Sequence, residues 1–444
     1  MSPNLILLTS VVVLVVMILS EVPVSFSLLT AGSLGLILLN DRDYTYNTLA
    51  NDPYSTTASF TLMLIPMFVV MGMLVVQAGI ASDVYGFAAR VLGRFPAGLG
   101  YATVAACAGF AAVTGSSAAT VATVGRISIN EMRKHGYSAA FASGIVAASG
   151  TLGILIPPSV VLVIYGVLTG ESIGELLLAG FIPGVISAFL YALVVWFRAR
   201  TEVGPQFVAE DLDDVILPVR STNLTQLSSA FKVLVLFFIV VGGIYTGAFT
   251  ATESGAVAAA VALLMLIWTG VRRGGLDVFR LLRQAFEETT EVTSMVFFLL
   301  IGGGIFSFFM VSGGYARDFS EWITELGVNR YMILILFLLA LIPLGMLLDG
   351  LSILLITVPL IYPVVMDLGF NGLWLGILMV KMIELSLITP PVGINVYVVV
   401  GAAPGLKIED AFRGIWPFGL MDLATIALLF SFPSLTTWLP QVAG

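Results

Sequence analysis

Long apolar runs alternate with short polar connections along almost the whole chain. A helix that crosses a bilayer needs about 20 mostly apolar residues, and the pattern therefore predicts an all-α integral membrane protein. The first run lacks a preceding Lys or Arg, so we expect a retained helix and no signal peptide. The predicted spans are 4–20, 23–39, 60–77, 139–169, 176–197, 231–248, 253–270, 289–312, 371–401 and 410–431.

Two further apolar stretches, 97–125 and 331–366, are too long for one crossing. Small or polar residues interrupt each near its middle, at 114–117 and at 348–352. A segment that enters the membrane, turns at mid-depth and leaves on the same side fits this pattern. Such a turn is tolerated where protein or a water-filled cavity surrounds it, so we predict two re-entrant helical hairpins.

Several less apolar segments connect these elements. The longest, 199–229, carries the acidic run 210–214 and is predicted to be a cytoplasmic linker between two membrane halves. The segments 80–93, 276–288 and 315–326 are amphipathic and are predicted to lie in the membrane interface.

The basic residues support this topology. With the N-terminus outside and both hairpins re-entrant, Lys381 falls within a span and only Arg42, Arg317 and Arg330, of the 19 Lys and Arg residues, lie outside. Cytoplasmic loops normally carry the excess of Lys and Arg. Treating either hairpin as a full crossing would place later basic clusters outside, so the charge distribution favours the hairpins.

The two halves of the chain are similar at a nearly fixed offset of 232 or 233 residues. The predicted topology places equivalent landmarks on opposite sides of the membrane, so we predict a first repeat at 1–198 and a second, inverted repeat at 230–444. Inverted repeats with broken helices near mid-depth are typical of secondary transporters. The equivalent positions are Glu21 and Glu253, Pro157 and Pro390, and Ser116 and Asp349.

Composition excludes several other classes. Hydrophobic residues make up 59% and charged residues 10% of the 444, whereas soluble domains carry roughly 25% charged residues. The net charge of -8 offers no basic surface for nucleic acid. A single cysteine, Cys107, excludes a disulfide scaffold, and one histidine, His135, cannot build a histidine metal site alone.

A pair of adjacent prolines interrupts one span in each repeat. Proline lacks the N–H that pairs one turn back, so each pair frees backbone carbonyls that must be satisfied inside a bilayer. A bound Na⁺ would satisfy these carbonyls, and we predict no cofactor besides this coupling ion. Alternatively, the proline pairs only kink the helices and shape their packing. The predicted cation-binding residues are Gly115, Ser116, Ser117, Gly153, Pro157, Asp349, Gly350, Ser352, Thr389, Pro390 and Gly393.

Helix N-termini at the hairpin tips and after each proline pair would direct positive dipole ends at an anion such as a carboxylate. Asp349, at the second tip, is either a cation ligand or an end-cap for a helix. The predicted substrate-binding residues are Ser117, Ala118, Pro158, Ser159, Pro391 and Asn395.

Lys381 and Glu384 are charged residues within an apolar segment, three positions apart and so on one helix face. Ionisable residues inside the membrane are costly and usually functional. The pair either supports packing as a self-neutralising unit or takes part in transport.

These motifs carry a family resemblance. The segments 115–120, 131–137, 150–159 and 179–184, together with 242–253 and 384–395 in the second half, resemble the large membrane subunit of tripartite ATP-independent periplasmic (TRAP) transporters. The resemblance implies an elevator-type, Na⁺-driven importer in the bacterial inner membrane. It further implies a periplasmic substrate-binding protein, a separate small membrane subunit, and Na⁺ and a substrate carboxylate at the two tips and the two proline breaks.

Two other functions are alternatives to import of a small organic acid. A stand-alone Na⁺- or H⁺-coupled dicarboxylate or anion carrier would need no binding protein. An intramembrane enzyme is disfavoured, because the sequence contains no HExxH, GxSxG or P-loop motif.

Overall fold

The computed structural model describes residues 2–203, 223–272, 278–325, 327–403 and 405–443. Almost all of them are helical, as the apolar pattern predicts. The helices of the first half are α1 (Pro3–Leu19), α2 (Val24–Leu39), α3 (Arg42–Thr57), α4 (Leu64–Gln77), α5 (Ile80–Leu92), α6 (Gly98–Thr114), α7 (Ser117–Lys134), α8 (Ala139–Leu155), α9 (Val160–Thr169) and α10 (Ile173–Glu202).

The helices of the second half are α11 (Asn223–Phe237), α12 (Gly243–Tyr245), α13 (Ala251–Arg272), α14 (Val278–Ser312), α15 (Tyr315–Glu325), α16 (Arg330–Gly345), α17 (Gly350–Asp367), α18 (Gly372–Ser386), α19 (Ile394–Ala402), α20 (Ile408–Ser431) and α21 (Ser434–Ala443). From α15 to α20, each helix of the second half begins 232 to 235 residues after its counterpart among α5 to α10.

Eight helical segments among the described residues are long and apolar enough to cross a membrane. They confirm a multi-pass membrane protein. The eight segments are Phe60–Gln77, Ala139–Thr169, Ile173–Glu202, Gln226–Tyr245, Ala251–Val271, Val278–Ser312, Gly350–Asp367 and Ile408–Ser431.

Both predicted hairpins are present as pairs of helices. Hairpin 1 consists of α6, α7 and the two-residue turn Gly115–Ser116, and hairpin 2 consists of α16, α17 and the turn 346–349. The second arm of hairpin 1 runs to Lys134, beyond the predicted end at 125. Whether each hairpin enters and leaves the membrane from one side stays a prediction.

Both proline pairs interrupt helices, as predicted. Break 1 (156–159) separates α8 from α9, and break 2 (387–393) separates α18 from α19. The peptide bonds Pro157–Pro158 and Pro390–Pro391 are both cis. The helices before the breaks form the centre of the molecule, because every residue of α18 and every residue of α8 from Phe141 onward is buried.

The two repeats pack in a crossed arrangement. In each repeat, the second arm of the hairpin contacts the helix before its own break, α7 against α8 and α17 against α18. The same arm also contacts the helix after the other repeat's break, α7 against α19 and α17 against α9. The hairpins and broken helices therefore form one interlocked core, around which α1, α2, α4, α13 and α14 pack on one another.

Three local features differ from the sequence-based expectations. Helix α3 was not predicted, because its residues are mostly polar; Asp41 caps it by accepting a hydrogen bond from the Tyr44 amide at 2.7 Å. Residues 278–288 of the predicted arm 276–288 and the predicted span 289–312 form one continuous helix, α14, because no Gly or Pro interrupts 278–300. Most of the predicted linker 199–229 lies outside the described residues, although α10 reaches Glu202.

Candidate functional site

The tip of hairpin 1 packs directly against break 1. Gly115 has a φ of +59°, and a Cβ at this position would lie 2.5 Å from the carbonyl oxygen of Pro158. A Cβ on Gly153 would lie 2.7 Å from the carbonyl oxygen of Ser116. Only residues without a side chain allow both approaches, so two of the predicted glycines bring the tip and the break together.

Several oxygen atoms converge at this contact. Ser159 donates from its hydroxyl to the carbonyl of Ile154, one of the carbonyls freed by the proline pair. The hydroxyls of Thr114 and Thr120 lie 3.1 Å apart, and the Thr120 hydroxyl donates to the Ser116 carbonyl at 2.8 Å. Neutral oxygens of this kind beside an unwound helix are the groups that bind Na⁺ in transporters with broken helices.

Two helices begin beside each other at the same place. Ser116 caps α7, accepting from the Ala119 amide at 3.4 Å, and Ser159 caps α9, accepting from the Leu162 amide at 3.3 Å. The free N–H groups at a helix start carry partial positive charge and favour anions.

A third helix start lies at the same point, contributed by the other repeat. The side-chain amide of Asn395, in the first turn of α19, donates to the Ser117 hydroxyl at 2.5 Å. Asn395, Ser117 and Ser159 are all buried. The structure therefore groups three of the predicted substrate-binding residues around the starts of α7, α9 and α19.

The remaining predicted substrate-binding residues differ in exposure. Pro158 is buried within the group, whereas Ala118 and Pro391 are exposed. Ala118 and Pro391 therefore lie on the accessible side of this group of residues.

The tip of hairpin 2 packs against the helix before break 2 in the equivalent way. Ser386, which corresponds to Gly153 at the offset of 233, contacts Gly345 at the end of α16. A Cβ on Gly350 would lie 3.0 Å from the Ile383 side chain.

The first prolines of the two breaks differ in burial. Pro157 is buried in break 1, and Pro390 is partly buried in break 2.

Asp349 is a helix cap in this structure. One carboxylate oxygen accepts from the Ser352 amide at 3.0 Å, and the other accepts from the Ser352 hydroxyl at 3.1 Å. Thr389 donates to the carbonyl of Leu385 at 2.6 Å, and Gly393 adopts a φ of +56° at the start of α19. Among the described residues, the hydrogen bonds of Asp349 and Thr389 stay within their own segments, so the second predicted cation group is less tightly assembled than the first.

Lys381 and Glu384 form the predicted ion pair. Asp422, which was not predicted, also contacts Lys381. The Lys381 ammonium lies 2.8 Å from Glu384 and 2.5 Å from Asp422 of α20, and all three side chains are fully buried. The tyrosine hydroxyl of Tyr191, on α10, donates to Asp422 at 2.6 Å. An acidic residue within the predicted span 410–431 was the available sequence signal.

Comparisons with known proteins identify the family of the chain. The family described as "Tripartite ATP-independent periplasmic transporter, DctM component" matches residues 11–435. The C4-dicarboxylate TRAP transporter large permease protein DctM of Pseudomonas aeruginosa is 33% identical over 94% of this chain and 94% of its own length. The sialic acid TRAP transporter large permease protein SiaM of Vibrio cholerae is 30% identical over 95% of each chain.

A solved structure shares the fold. The YdaH transporter of Alcanivorax borkumensis superposes with a TM-score of 0.63 over 89% of both chains, at 14% sequence identity. Both named relatives are permeases, which are transport proteins and not enzymes. The chain therefore belongs to the DctM family, the large permease component of tripartite ATP-independent periplasmic transporters.

Proposed function

We propose that this permease imports a small organic acid across the bacterial inner membrane, driven by Na⁺ and by an elevator movement of its core. The observation that carries the proposal is the convergence of the tip of hairpin 1, break 1 and Asn395 of the opposite repeat. That convergence supplies neutral oxygens for a cation and free helix N-termini for an anion in one place.

The Na⁺ part of the proposal rests on the first group of oxygens. The carbonyl oxygens of Ser116 and Pro158 lie against Gly153 and Gly115, where no Cβ obstructs them. Carbonyl oxygens at unwound helix segments are the usual ligands of coupling Na⁺. At hairpin 2, Asp349 would add a charged oxygen while it continues to cap α17.

The anion part rests on the three helix starts. A carboxylate placed beside Ser117, Ser159 and Asn395 would meet the positive ends of α7, α9 and α19 together with two hydroxyls and an amide. Because these residues are buried here, the ligand would enter only after a rearrangement that separates α7 from α19.

The elevator movement is suggested by the crossed packing. Hairpins and broken helices contact one another across the repeats, so they would move as one body. The surrounding helices meet that body at a few pairs of helices, such as α14 with α17 and α4 with α6. Such a core, sliding against a frame, would carry the bound ligand across the membrane, and α7 and α19 would separate only to admit or release it.

We infer the substrate class from relatives, whose names include a C4-dicarboxylate and sialic acid, both organic acids. We expect a small carboxylate and would test C4-dicarboxylates first. The name of the family implies a tripartite system, so the proposed partners are a periplasmic substrate-binding protein and a small membrane subunit.

Uptake by proteoliposomes separates this function from a stand-alone carrier. The permease is reconstituted with its small subunit, and uptake of labelled C4-dicarboxylates is measured with and without the purified binding protein. We expect uptake only with the binding protein, and liposomes without permease serve as the control. Equal uptake without the binding protein would support the stand-alone carrier instead.

A further inference from the structure

A buried charge cluster lies behind the two breaks and plays no part in the proposed transport site. It consists of Lys381 and Glu384 on α18, Asp422 on α20 and Tyr191 on α10. Its position is fixed by four helices, since Tyr191 also lies 3.3 Å from the hydroxyl of Thr151 on α8. Every one of these side chains is fully buried.

The charges of the cluster do not balance. One ammonium faces two carboxylates, so the fully ionised cluster would carry one net negative charge. Burying an unbalanced charge in a low-dielectric interior costs several kcal/mol at least, and such groups usually change protonation state instead.

Among the described residues, no other charged side chain on the neighbouring helices pairs with the cluster: Arg200 of α10 and Arg413 of α20 are exposed, and Arg198 of α10 pairs with Glu202. Helices α8 and α21 contain no charged residue in the ranges that the structure describes. Tyr165 of α9 bonds to the Gly372 carbonyl, and Tyr362 of α17 bonds to Glu171, both at the other end of α18. Arg330 of α16 bonds to the Leu368 carbonyl, also at that end.

Two oxygens of the cluster have no hydrogen-bond partner among the described residues, namely Oε1 of Glu384 and Oδ2 of Asp422. Both are buried carboxylate oxygens, and leaving such an atom unpaired costs more than leaving a neutral acceptor unpaired. A proton on one carboxyl would remove the net charge and turn one orphan acceptor into a hydroxyl donor.

The hydrogen bonds indicate which carboxyl takes the proton. Asp422 accepts from both Lys381 and Tyr191 at its Oδ1, at 2.5 and 2.6 Å, which stabilises its ionised form. Glu384 accepts only from Lys381, at 2.8 Å. Hydrogen bonds to a carboxylate favour its charged form, so the carboxyl with fewer donors is the better proton acceptor.

We propose that Glu384 holds a resident proton at neutral pH. The cluster then carries no net charge, and the Lys381–Asp422 ion pair and the Tyr191 hydrogen bond hold α18 to α20 and α10. The proton site is distinct from the proposed Na⁺ and carboxylate sites. It does not require the proton to be transported.

Infrared spectroscopy of the full-length permease in nanodiscs tests the proposal directly. A protonated carboxylic acid gives a carbonyl stretch that is separate from the carboxylate and amide bands. We expect a wild-type band at neutral pH that disappears in Glu384→Gln. Labelling all glutamates with carbon-13 should shift this band, and labelling all aspartates should leave it in place.

Two results would overturn the proposal. The absence of any band difference between wild type and Glu384→Gln would mean that the cluster binds no proton. A band that moves with the aspartate label would assign the proton to Asp422. These outcomes bear on the proton site alone, because Na⁺-driven uptake is measured separately.

The pH dependence of stability gives a second readout. An unfolded Glu is ionised above a pH of about 4.3, whereas the folded cluster would keep its proton. The folded state then binds more protons, and stability falls as the pH rises. We expect the wild-type thermal midpoint to fall as the pH rises above about 4.3 and that of Glu384→Gln to fall less; parallel curves would contradict the proposal.

Discussion

The side-chain amide of Asn395 donates a 2.5 Å hydrogen bond to the hydroxyl of Ser117, across 278 positions of sequence. Asn395 belongs to the broken helix of the second repeat, and Ser117 belongs to the hairpin of the first. The bond therefore joins the two repeats at the point where three helices begin. In the proposed mechanism, the substrate carboxylate binds here and replaces the hydrogen bond between Asn395 and Ser117.

Replacing Asn395 with Ala should reduce substrate uptake by at least about tenfold, because one hydrogen bond to a charged ligand contributes about 1.5–3 kcal/mol. Ser117→Ala should give a similar loss. The free-energy loss in the double variant should be no larger than the sum of the losses in the two single variants. Uptake at several substrate concentrations checks this. Asn51→Ala, which changes an exposed residue of α3, is the control, and full activity of Asn395→Ala would exclude this carboxylate site.

Asp349→Asn should separate the capping role of Asp349 from a role in binding Na⁺. Asn is also a good N-cap, so the thermal midpoint should change little. Loss of the negative charge should raise the Na⁺ concentration needed for half-maximal uptake severalfold.

A matched control for Asp349 is available at the start of α3. Asp41 caps that helix with a bond of 2.7 Å to the Tyr44 amide, so Asp41→Asn makes the same chemical change away from the proposed site. We expect Asp41→Asn to leave the Na⁺ dependence unchanged. If Asp349→Asn also leaves it unchanged, Asp349 is only a cap.

Gly153→Ala should prevent hairpin 1 from seating against break 1. The added Cβ would lie 2.7 Å from the Ser116 carbonyl oxygen and 2.8 Å from its carbonyl carbon, and backbone atoms cannot move aside cheaply. The cost of such overpacking is typically about 1–3 kcal/mol. We expect a lower thermal midpoint and loss of uptake.

Gly401→Ala is the corresponding control, since a Cβ at this helical position meets nothing within 4 Å. It should leave uptake intact and stabilise the helix slightly, by up to about 1 kcal/mol. If both glycine variants behave alike, the close packing of tip and break is not needed for function.

Asp422→Ala should destabilise the core by about 1–3 kcal/mol, the cost of leaving a buried donor unsatisfied, because Glu384 can then release its proton and balance the charge of Lys381. The change removes the acceptor of both Lys381 and Tyr191. The thermal midpoint in detergent measures the loss. Glu409→Ala, at an exposed position of the same helix, should have little effect, and a comparable midpoint for Asp422→Ala would show that the cluster does not hold α18 and α20 together.

Much of the fold was predictable from the sequence, because apolar runs and proline pairs act locally. The lengths of the runs located most of the membrane helices, and both breaks lie where Pro157 and Pro390 stand. Helix α3 was missed because a polar helix has no apolar periodicity to reveal it. Helix α14 was predicted as two separate segments, because its charged first half has the pattern of an interfacial segment.

The site was only partly predictable, for a different physical reason. Glycine and serine at the tip of hairpin 1 indicated a close approach, and Gly153 does contact Ser116 there. Which residues meet across the repeats depends on tertiary packing, so neither the Asn395–Ser117 bond nor the Asp422 partner of Lys381 follows from local pattern. Asp422 is an acidic residue within the predicted span 410–431, but its position alone does not show which basic residue it meets.

Measurement of Na⁺ entry together with substrate entry tests whether the permease couples the import of an organic acid to Na⁺. Proteoliposomes containing the permease and its small subunit are supplied with the binding protein, a labelled C4-dicarboxylate and radioactive Na⁺. We predict that Na⁺ enters at a fixed ratio to the acid, and only when both the acid and the binding protein are present. Uptake of the acid at an unchanged rate in the absence of Na⁺, or Na⁺ entry that is independent of the acid, would contradict the account.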